Sequence, residues 1–177
     1  KKLKKNNICS YKLDSEILLS KALSKRREEL LTNLNQIVEA QKINYFNRLI
    51  DRRSCKEPIA YILQEKEFWS KNFLVDKSTL IPRPETELMV EKLVKIFKGK
   101  KLFILDVGTG TGCILLSILS ELKNSKGIGI DISKKAISVA RQNSKKHKLS
   151  EKTKFYRREV DEIYHQKFDL VVSNPPY

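Results

Sequence analysis

A glycine-rich turn places the strongest constraint on the fold of this chain. The turn, Asp106–Gly112, reads Asp-Val-Gly-Thr-Gly-Thr-Gly; it follows the apolar run Leu102–Leu105 and precedes an apolar helical segment that begins at Cys113. Glycine adopts positive φ and lets a ligand approach the main chain closely. In open α/β sheets, ligands bind just outside the carboxyl ends of the strands. A strand, this turn and a helix in succession therefore predict a nucleotide-binding α/β domain.

Strand and helix patterns alternate through the second half of the chain. Further strands are expected at Gly127–Ile130, near Phe155–Tyr156 and at Phe168–Val172, and helices are expected to begin near Pro84, Cys113 and Ser133. Strands that alternate with helices in this way form parallel sheets that are covered on both faces. We therefore assign the chain to the α/β class.

The segment before about residue 55 has the apolar spacing of helices instead. Apolar residues recur at helical spacing over Leu13–Ala22 and again over Ile37–Ile50. Asp14 or Ser15 can cap the first of these helices. We predict a small helical bundle that carries no catalytic group.

β-prone runs separated by polar turns follow from about Pro58. The runs Ile59–Leu63, Phe68–Trp69 and Phe73–Val75 indicate a hairpin linker. We therefore divide the chain into a helical domain with its hairpin linker, residues 1–76, and a nucleotide-binding domain, residues 77–177. The boundary moves to about residue 55 if the hairpin belongs with the second domain.

Composition excludes several functional classes. No run approaches the roughly 18 apolar residues of a membrane span, and the basic start Lys1–Asn7 has no apolar region of a signal peptide behind it. The three cysteines are too widely spaced for a disulfide framework or a metal site, and they fit a reducing cytosol; they are Cys9, Cys55 and Cys113.

The net charge of +15 is spread along the whole chain. We therefore expect solvated helix faces, and no direct nucleic-acid binding by this segment.

The glycine spacing narrows the choice of ligand. A dinucleotide fingerprint reads G-x-G-x-x-G, whereas Gly112 comes one residue early here. Cys113 stands where a P-loop has lysine, so a nucleoside triphosphate is disfavoured as well. The pattern resembles instead the S-adenosylmethionine loop of class I methyltransferases. Asp131 ends the next strand, where a carboxylate can accept both ribose hydroxyls, although it can equally cap the helix at Ser133.

The residues Asn174, Pro175, Pro176 and Tyr177 follow an apolar strand. Two prolines donate no hydrogen bonds and restrict the residue before them. The loop is therefore rigid and offers free carbonyl groups. The side-chain oxygen of Asn174 and the carbonyl of Pro175 can accept the two N–H bonds of a substrate NH2 group, beside a flat apolar wall from Tyr177. The alternative is a proline-terminated turn without a function.

Five stretches resemble the peptide-chain-release-factor glutamine methyltransferases, the HemK-like family, and together they extend over nearly the whole chain. They are Glu57–Leu63, Glu67–Trp69, Ile81–Glu87, Asp106–Cys113 and Val172–Tyr177. Many methyltransferases share the glycine loop, and several that modify planar NH2 groups share Asn-Pro-Pro-Tyr. The Arg-Pro-Glu-Thr-Glu stretch at residues 83–87, with the helical N-terminal segment, is the narrower signal.

The resemblance implies methylation, in the cytoplasm, of the glutamine amide in the Gly-Gly-Gln loop of class I release factors. S-adenosylmethionine would be the methyl donor, and the helical segment would dock the release factor. By this resemblance the methionine part of the cofactor lies against Gly108, Thr109, Gly110, Thr111 and Gly112, and the ribose binds Asp131. The glutamine amide is held by Asn174, Pro175, Pro176 and Tyr177, and Asn174 also lies beside the cofactor.

One departure from the family concerns the adenine pocket. The family's Asp-Trp pair is replaced by Glu159 and Val160. Glutamate can keep the acceptor role, but valine offers no aromatic wall. Class I methyltransferase folds have seven strands and this chain supplies about four, so we expect a truncated domain from a longer parent chain.

Two further functions stay open. An amino methyltransferase that acts on a nucleobase in RNA or DNA shares both loops, and the charge of +15 favours it slightly. A non-catalytic factor-binding module that keeps the cofactor fold is the other alternative. An NAD-dependent oxidoreductase is disfavoured by the glycine spacing.

Overall fold

The chain divides between Gln64 and Glu65 into two units. A computed structural model describes residues 1–32, 37–163 and 166–175. The hairpin lies in the second unit, whereas we assigned it to the first domain over residues 1–76. The reason is packing, because Phe68 and Phe73, one on each hairpin strand, are buried in the core of the second unit.

Helices build the described part of the first unit, as the helical spacing predicts. They are α1 (Lys2–Lys5), α2 (Tyr11–Leu23), α3 (Arg27–Thr32), α4 (Ala40–Ser54) and α5 (Ile59–Leu63). Their shared core is formed by Leu3, Ile8, Leu18, Ala22, Leu49, Ile50 and Ile62. Burial of these apolar side chains stabilises the bundle, because each fully buried side chain contributes roughly 1.5–3 kcal/mol.

Asp14 has a different role from the helix cap that we expected. Helix α2 begins after Ser10, and the Asp14 carboxylate is buried inside the unit. Arg53 Nε lies 2.7 Å from Asp14 Oδ2, and the Ser10 hydroxyl donates to the same oxygen at 2.9 Å. Arg53 also donates to the carbonyl of Glu57 at 3.0 Å. This ion pair joins α2 to α4.

The prediction of a β-strand at Ile59–Leu63 is wrong, because these residues form helix α5. The backbone N–H groups of Tyr61 and Ile62 both donate to the Pro58 carbonyl. Pro58 has no N–H to lose at the start of a helix, and its fixed φ suits that position. Ile62 is buried in the helical core, so the short apolar run follows its packing rather than its β propensity.

The predicted hairpin is confirmed just after α5. Strands β1 (Glu65–Phe68) and β2 (Lys71–Leu74) pair antiparallel, with Phe68 opposite Lys71. Trp69 and Ser70 form the turn with φ of 51° and 53°. Positive φ at both central residues gives the twist that two-residue hairpin turns need.

A parallel sheet forms the centre of the second unit and confirms the α/β prediction. Its strands are β3 (Phe103–Val107), β4 (Lys126–Asp131), β5 (Thr153–Arg157) and β6 (Leu170–Ser173), in the order β5-β4-β3-β6. All three strand pairs are parallel. The connecting helices are α6 (Pro84–Ile96), α7 (Cys113–Glu121) and α8 (Lys134–Lys146).

The sheet carries a separate apolar cluster on each face. One cluster joins α6, α7, α8 and the hairpin to strand residues such as Ile104 and Val172. The other contains Leu105, Ile128 and Ile130, with Phe168 packed against them. Both faces of the central strands β3 and β4 are therefore covered, which is why their sequences are largely apolar.

Candidate active site

The glycine turn lies between β3 and α7, at the carboxyl end of the sheet. Gly108, Gly110 and Gly112 have φ of +68°, +54° and +77°, so all three require the left-handed conformation that glycine favours. A Cβ on Gly108 would meet nothing within 4 Å, whereas one on Gly112 would lie 3.2 Å from Leu116 Cδ1. Gly108 thus leaves open space for a ligand, and Gly112 packs the turn onto its helix.

The side chain of Asp106, in β3, is buried just before this turn. The hydroxyl of Thr109 donates to Asp106 Oδ2 at 2.6 Å, and Asp106 Oδ1 has no hydrogen-bond partner. Burial raises the pKa of Asp106 to about 7, and the Thr109 hydrogen bond opposes part of this rise. The sequence analysis quoted Asp106 in the motif but gave it no role. Its hydrogen bond with Thr109 ties β3 to the glycine turn.

Asp131 lies at the end of β4 and faces the same turn. Its Oδ2 accepts the Gly110 N–H at 3.0 Å, and its Oδ1 accepts the Ser133 N–H at 2.8 Å. The cap of α8 is Ser133, whose hydroxyl accepts the Ala136 N–H. Asp131 is therefore not the N-cap of α8; it ties the glycine turn to the start of that helix. Each carboxylate oxygen keeps a lone pair for a ligand.

Asn143 braces the turn from α8, and the sequence analysis missed it. Its Nδ2 donates to the carbonyls of Thr111 at 2.9 Å and Leu74 at 3.0 Å. Its Oδ1 accepts the Leu74 N–H at 2.7 Å. The side chain is fully buried, and it joins hairpin strand β2 to the glycine turn. A polar residue on the same helical face as Ile137 and Ala140 is the signal that could have found it.

Asn174 follows β6 and lies beside the strand that leads into the glycine turn. Ser173 is in register with Val107, and the Ser173 hydroxyl donates to the Val107 carbonyl at 3.0 Å. The half-buried Asn174 side chain donates through Nδ2 to the Thr86 hydroxyl at 3.3 Å. Pro175 is exposed. Pro176 and Tyr177 lie outside the described residues.

An open cleft of about 1060 Å³ lies at the start of α6 and beside the Asn174 loop. It is lined by Leu80, Arg83, Pro84, Glu85, Thr86, Met89, Ser173, Asn174 and Pro175. The first four residues of the Arg-Pro-Glu-Thr-Glu stretch, Arg83 to Thr86, thus line the same cleft as Asn174. In the sequence this stretch is a family signature, and none of its residues was among the predicted site residues.

Glu159 and Val160 follow strand β5. Glu159 caps the short 3-10 turn Val160–Glu162, and the Glu159 N–H donates in return to Glu162 Oε2 at 3.3 Å. Val160 is 54% exposed. The capping role of Glu159 is local, and Val160 presents an open aliphatic side chain rather than a wall.

No helix within residues 1–32, 37–163 and 166–175 is long and apolar enough to cross a membrane. In the same described ranges, no cluster of three or more His, Cys, Asp and Glu side chains is arranged to hold a metal ion.

Comparison with known proteins identifies two domains. Residues 1–63 match the PrmC N-terminal domain, and residues 98–176 match a methyltransferase domain. A release factor glutamine methyltransferase of Buchnera aphidicola subsp. Acyrthosiphon pisum is 41% identical over 98% of this chain and 62% of its own length. One from Buchnera aphidicola subsp. Baizongia pistaciae is 43% identical over 99% of this chain and 63% of its own. The chain thus spans less than two thirds of either relative.

A solved structure has the same fold. The Pyrococcus abyssi tRNA (uracil-54, C5)-methyltransferase in complex with S-adenosyl-L-homocysteine superimposes with a TM-score of 0.51 and 21% identity. The match covers 63% of this chain and 28% of that protein. Together with the methyltransferase-domain match over residues 98–176, this likeness gives the second unit the α/β methyltransferase fold that the glycine turn predicts.

Proposed function

Because this chain belongs to the release factor glutamine methyltransferase family, we propose that the protein methylates a glutamine side-chain amide in class I peptide chain release factors. The methyl donor is S-adenosylmethionine, and the acceptor is the glutamine of the Gly-Gly-Gln motif. The observation that carries this proposal is the position of Asn174. Its side-chain amide lines the cleft at the carboxyl end of β6, next to the strand that enters the glycine turn.

The residues around the glycine turn fit the proposed cofactor. S-adenosylmethionine combines an ammonium group, a ribose and a methyl group on a positively charged sulfur. The open space at Gly108 admits a ligand against the main chain. The unpartnered, buried Oδ1 of Asp106 suits an ammonium group, and the Asp131 carboxylate suits ribose hydroxyls. Glu159 and Val160 remain our assignment for the adenine end.

Asn174 and Pro175 orient the acceptor amide in this proposal. An amide nitrogen is a poor nucleophile because its lone pair is delocalised into the carbonyl group. Fixed acceptors on both of its N–H bonds hold the nitrogen towards the methyl group and favour a pyramidal transition state. The proton leaves after transfer, since the methylated nitrogen is then acidic. The roles predicted from the sequence for Pro176 and Tyr177, the latter as an apolar wall, lie outside the described residues.

Recognition of the release factor belongs, in this proposal, to the helical unit. Residues 1–63 match the PrmC N-terminal domain, and this unit has no place in the chemistry described above. The protein then acts in the cytoplasm, where translation ends. Direct binding of nucleic acid by this segment is not part of the proposal.

Methyl transfer by variants of the full-length protein tests the function. With labelled S-adenosylmethionine and a purified release factor, Asn174→Ala is expected to lower the rate of transfer about a hundredfold, because one fixed transition-state acceptor is lost. The matched control Asn72→Ala, an exposed hairpin residue, is expected to transfer at the wild-type rate. Equal transfer by Asn174→Ala and wild type would contradict the proposed role of the cleft.

A further inference from the structure

The side-chain amide of Asn174 has two ends of nearly equal shape and opposite hydrogen-bonding character. Its oxygen accepts and its nitrogen donates. The proposed function needs the oxygen towards the substrate, because the substrate group is itself an NH2 donor. An Asn174 turned the other way would place donor against donor. The site therefore needs a group that holds the nitrogen end and leaves the oxygen free for the substrate.

Thr86 contacts the nitrogen end of this amide. Asn174 Nδ2 lies 3.3 Å from Thr86 Oγ1, although the two residues are 88 apart in the sequence. Both side chains are half-buried, and both line the cleft. We propose that Thr86 is a positioning residue whose hydroxyl accepts from Asn174 Nδ2 and so directs Asn174 Oδ1 towards the substrate amide. This inference rests on the proposed function.

The local structure holds Thr86 in place for this role. Pro84 is at the start of α6, and the Thr86 N–H donates to the Arg83 carbonyl at 3.0 Å, which places Thr86 in the first helical turn. A β-branched side chain in a helix has few χ1 rotamers, so its hydroxyl direction is restricted.

The start of α6 is also anchored from its other side. Glu87 Oε1 accepts the backbone N–H of Trp69, in the hairpin turn, at 3.0 Å. Adjacent residues of the Arg-Pro-Glu-Thr-Glu stretch thus hold two different elements: Glu87 binds the hairpin, and Thr86 binds the loop after β6. The stretch fixes the relative position of these elements within the second unit.

A purely structural role of Thr86 and a positioning role lead to different effects on the rate of methyl transfer when the hydroxyl is removed. If the hydroxyl only filled the cleft wall, its loss would act independently of Asn174. If it orients Asn174, its loss has no further effect once the Asn174 amide is gone. A double-mutant cycle separates the two cases.

The experiment uses the full-length protein, labelled S-adenosylmethionine and a purified release factor. Thr86→Val keeps the shape and removes the acceptor, and it is expected to lower kcat about tenfold, as for the loss of one orienting hydrogen bond. The affinity for S-adenosylmethionine is expected to stay unchanged. Thr86→Ser keeps the hydroxyl and is expected to retain most of the activity. The control Asn72→Ala changes an exposed hairpin residue of the second unit and is expected to match wild type.

The decisive comparison is Thr86→Val in the Asn174→Ala background, where no further loss is expected. Wild-type kcat in Thr86→Val, or losses that multiply in the double variant, would overturn the inference while leaving the proposed function intact. If Thr86→Val folds poorly, Thr86→Ala with the same cycle gives the same decision. A wild-type protein that transfers no methyl group to the release factor would overturn both proposals together.

Discussion

At the scale of single residues, the site depends on polar side chains that each bridge two parts of the backbone. Asn143 is the clearest case, since its amide makes three hydrogen bonds to Leu74 and Thr111 in a fully buried position. Asp131 similarly binds Gly110 and Ser133. These residues set the shape of the glycine turn, and their loss is expected to affect stability and cofactor binding together.

Replacing Asn143 by leucine tests this bridge. The volume is nearly kept, but buried backbone groups of Leu74 and Thr111 lose their partners. We expect the free energy of unfolding to fall by about 3 kcal/mol, because each unsatisfied buried group costs roughly 1–3 kcal/mol. Urea denaturation measures it, with the exposed neighbour Gln142→Leu as control. A change as small as that of the control would contradict the bridging role.

The raised pKa of Asp106 predicts a pH dependence of stability. Its ordinary value is 3.8 and burial raises the pKa to about 7, so the folded chain keeps this proton to higher pH than the unfolded chain. The contribution of this group is therefore fully present below about pH 4 and is lost as pH rises to about 7. Asp106→Asn cannot ionise. The stability of the variant relative to wild type is thus expected to increase from pH 5 to pH 8.

Urea denaturation of both proteins at these two pH values provides the measurement for Asp106. The comparison cancels the titration of every other group that the variant leaves unchanged. A difference between variant and wild type that stays constant from pH 5 to pH 8 would show that Asp106 does not titrate in this range.

Sequence reasoning reached the site residues that belong to motifs and missed those that act through tertiary contacts. Gly108, Asp131 and Asn174 each follow a predicted strand, so their meeting at one sheet edge follows from the parallel order. Thr86 and Asn143 depend on contacts with residues far away in the sequence. No local pattern specifies such a partner.

At the scale of elements, hydrophobic periodicity predicted helices and strands well where each is long. Helices α6, α7 and α8 and the strands between them lie near their predicted positions. The short run that forms α5 was misread, because five apolar residues fit a strand and a buried helical turn equally well. Which unit the hairpin joins was decided by the packing of Phe68 and Phe73, which periodicity does not encode.

The ion pair between α2 and α4 gives a prediction at this scale. Arg53→Met leaves the buried Asp14 carboxylate without its cation, and we expect a loss of about 3 kcal/mol in the free energy of unfolding. The double variant Asp14→Leu with Arg53→Met is expected to recover most of this loss, because no buried charge then remains. Arg48→Met, an exposed position on α4, is the control. Thermal or urea denaturation that shows no recovery in the double variant would contradict this assignment.

At the scale of the whole molecule, the proposal assigns recognition and chemistry to different units. The helical unit, residues 1–64, carries the PrmC N-terminal domain, and the second unit carries the glycine turn and the cleft beside Asn174. The basic residues behind the net charge of +15 are spread over both units, so the charge does not indicate which unit binds the substrate. The substrate is therefore argued from the site and the family rather than from charge.

The most direct test of this account is the identity of the methyl acceptor. The full-length wild-type protein would be incubated with labelled S-adenosylmethionine and a release factor, either wild type or with Gln→Ala in its Gly-Gly-Gln motif, beside RNA and DNA in separate reactions. We predict label on the wild-type release factor alone. Label on RNA or DNA, or equal label on the Gln→Ala release factor, would contradict the account.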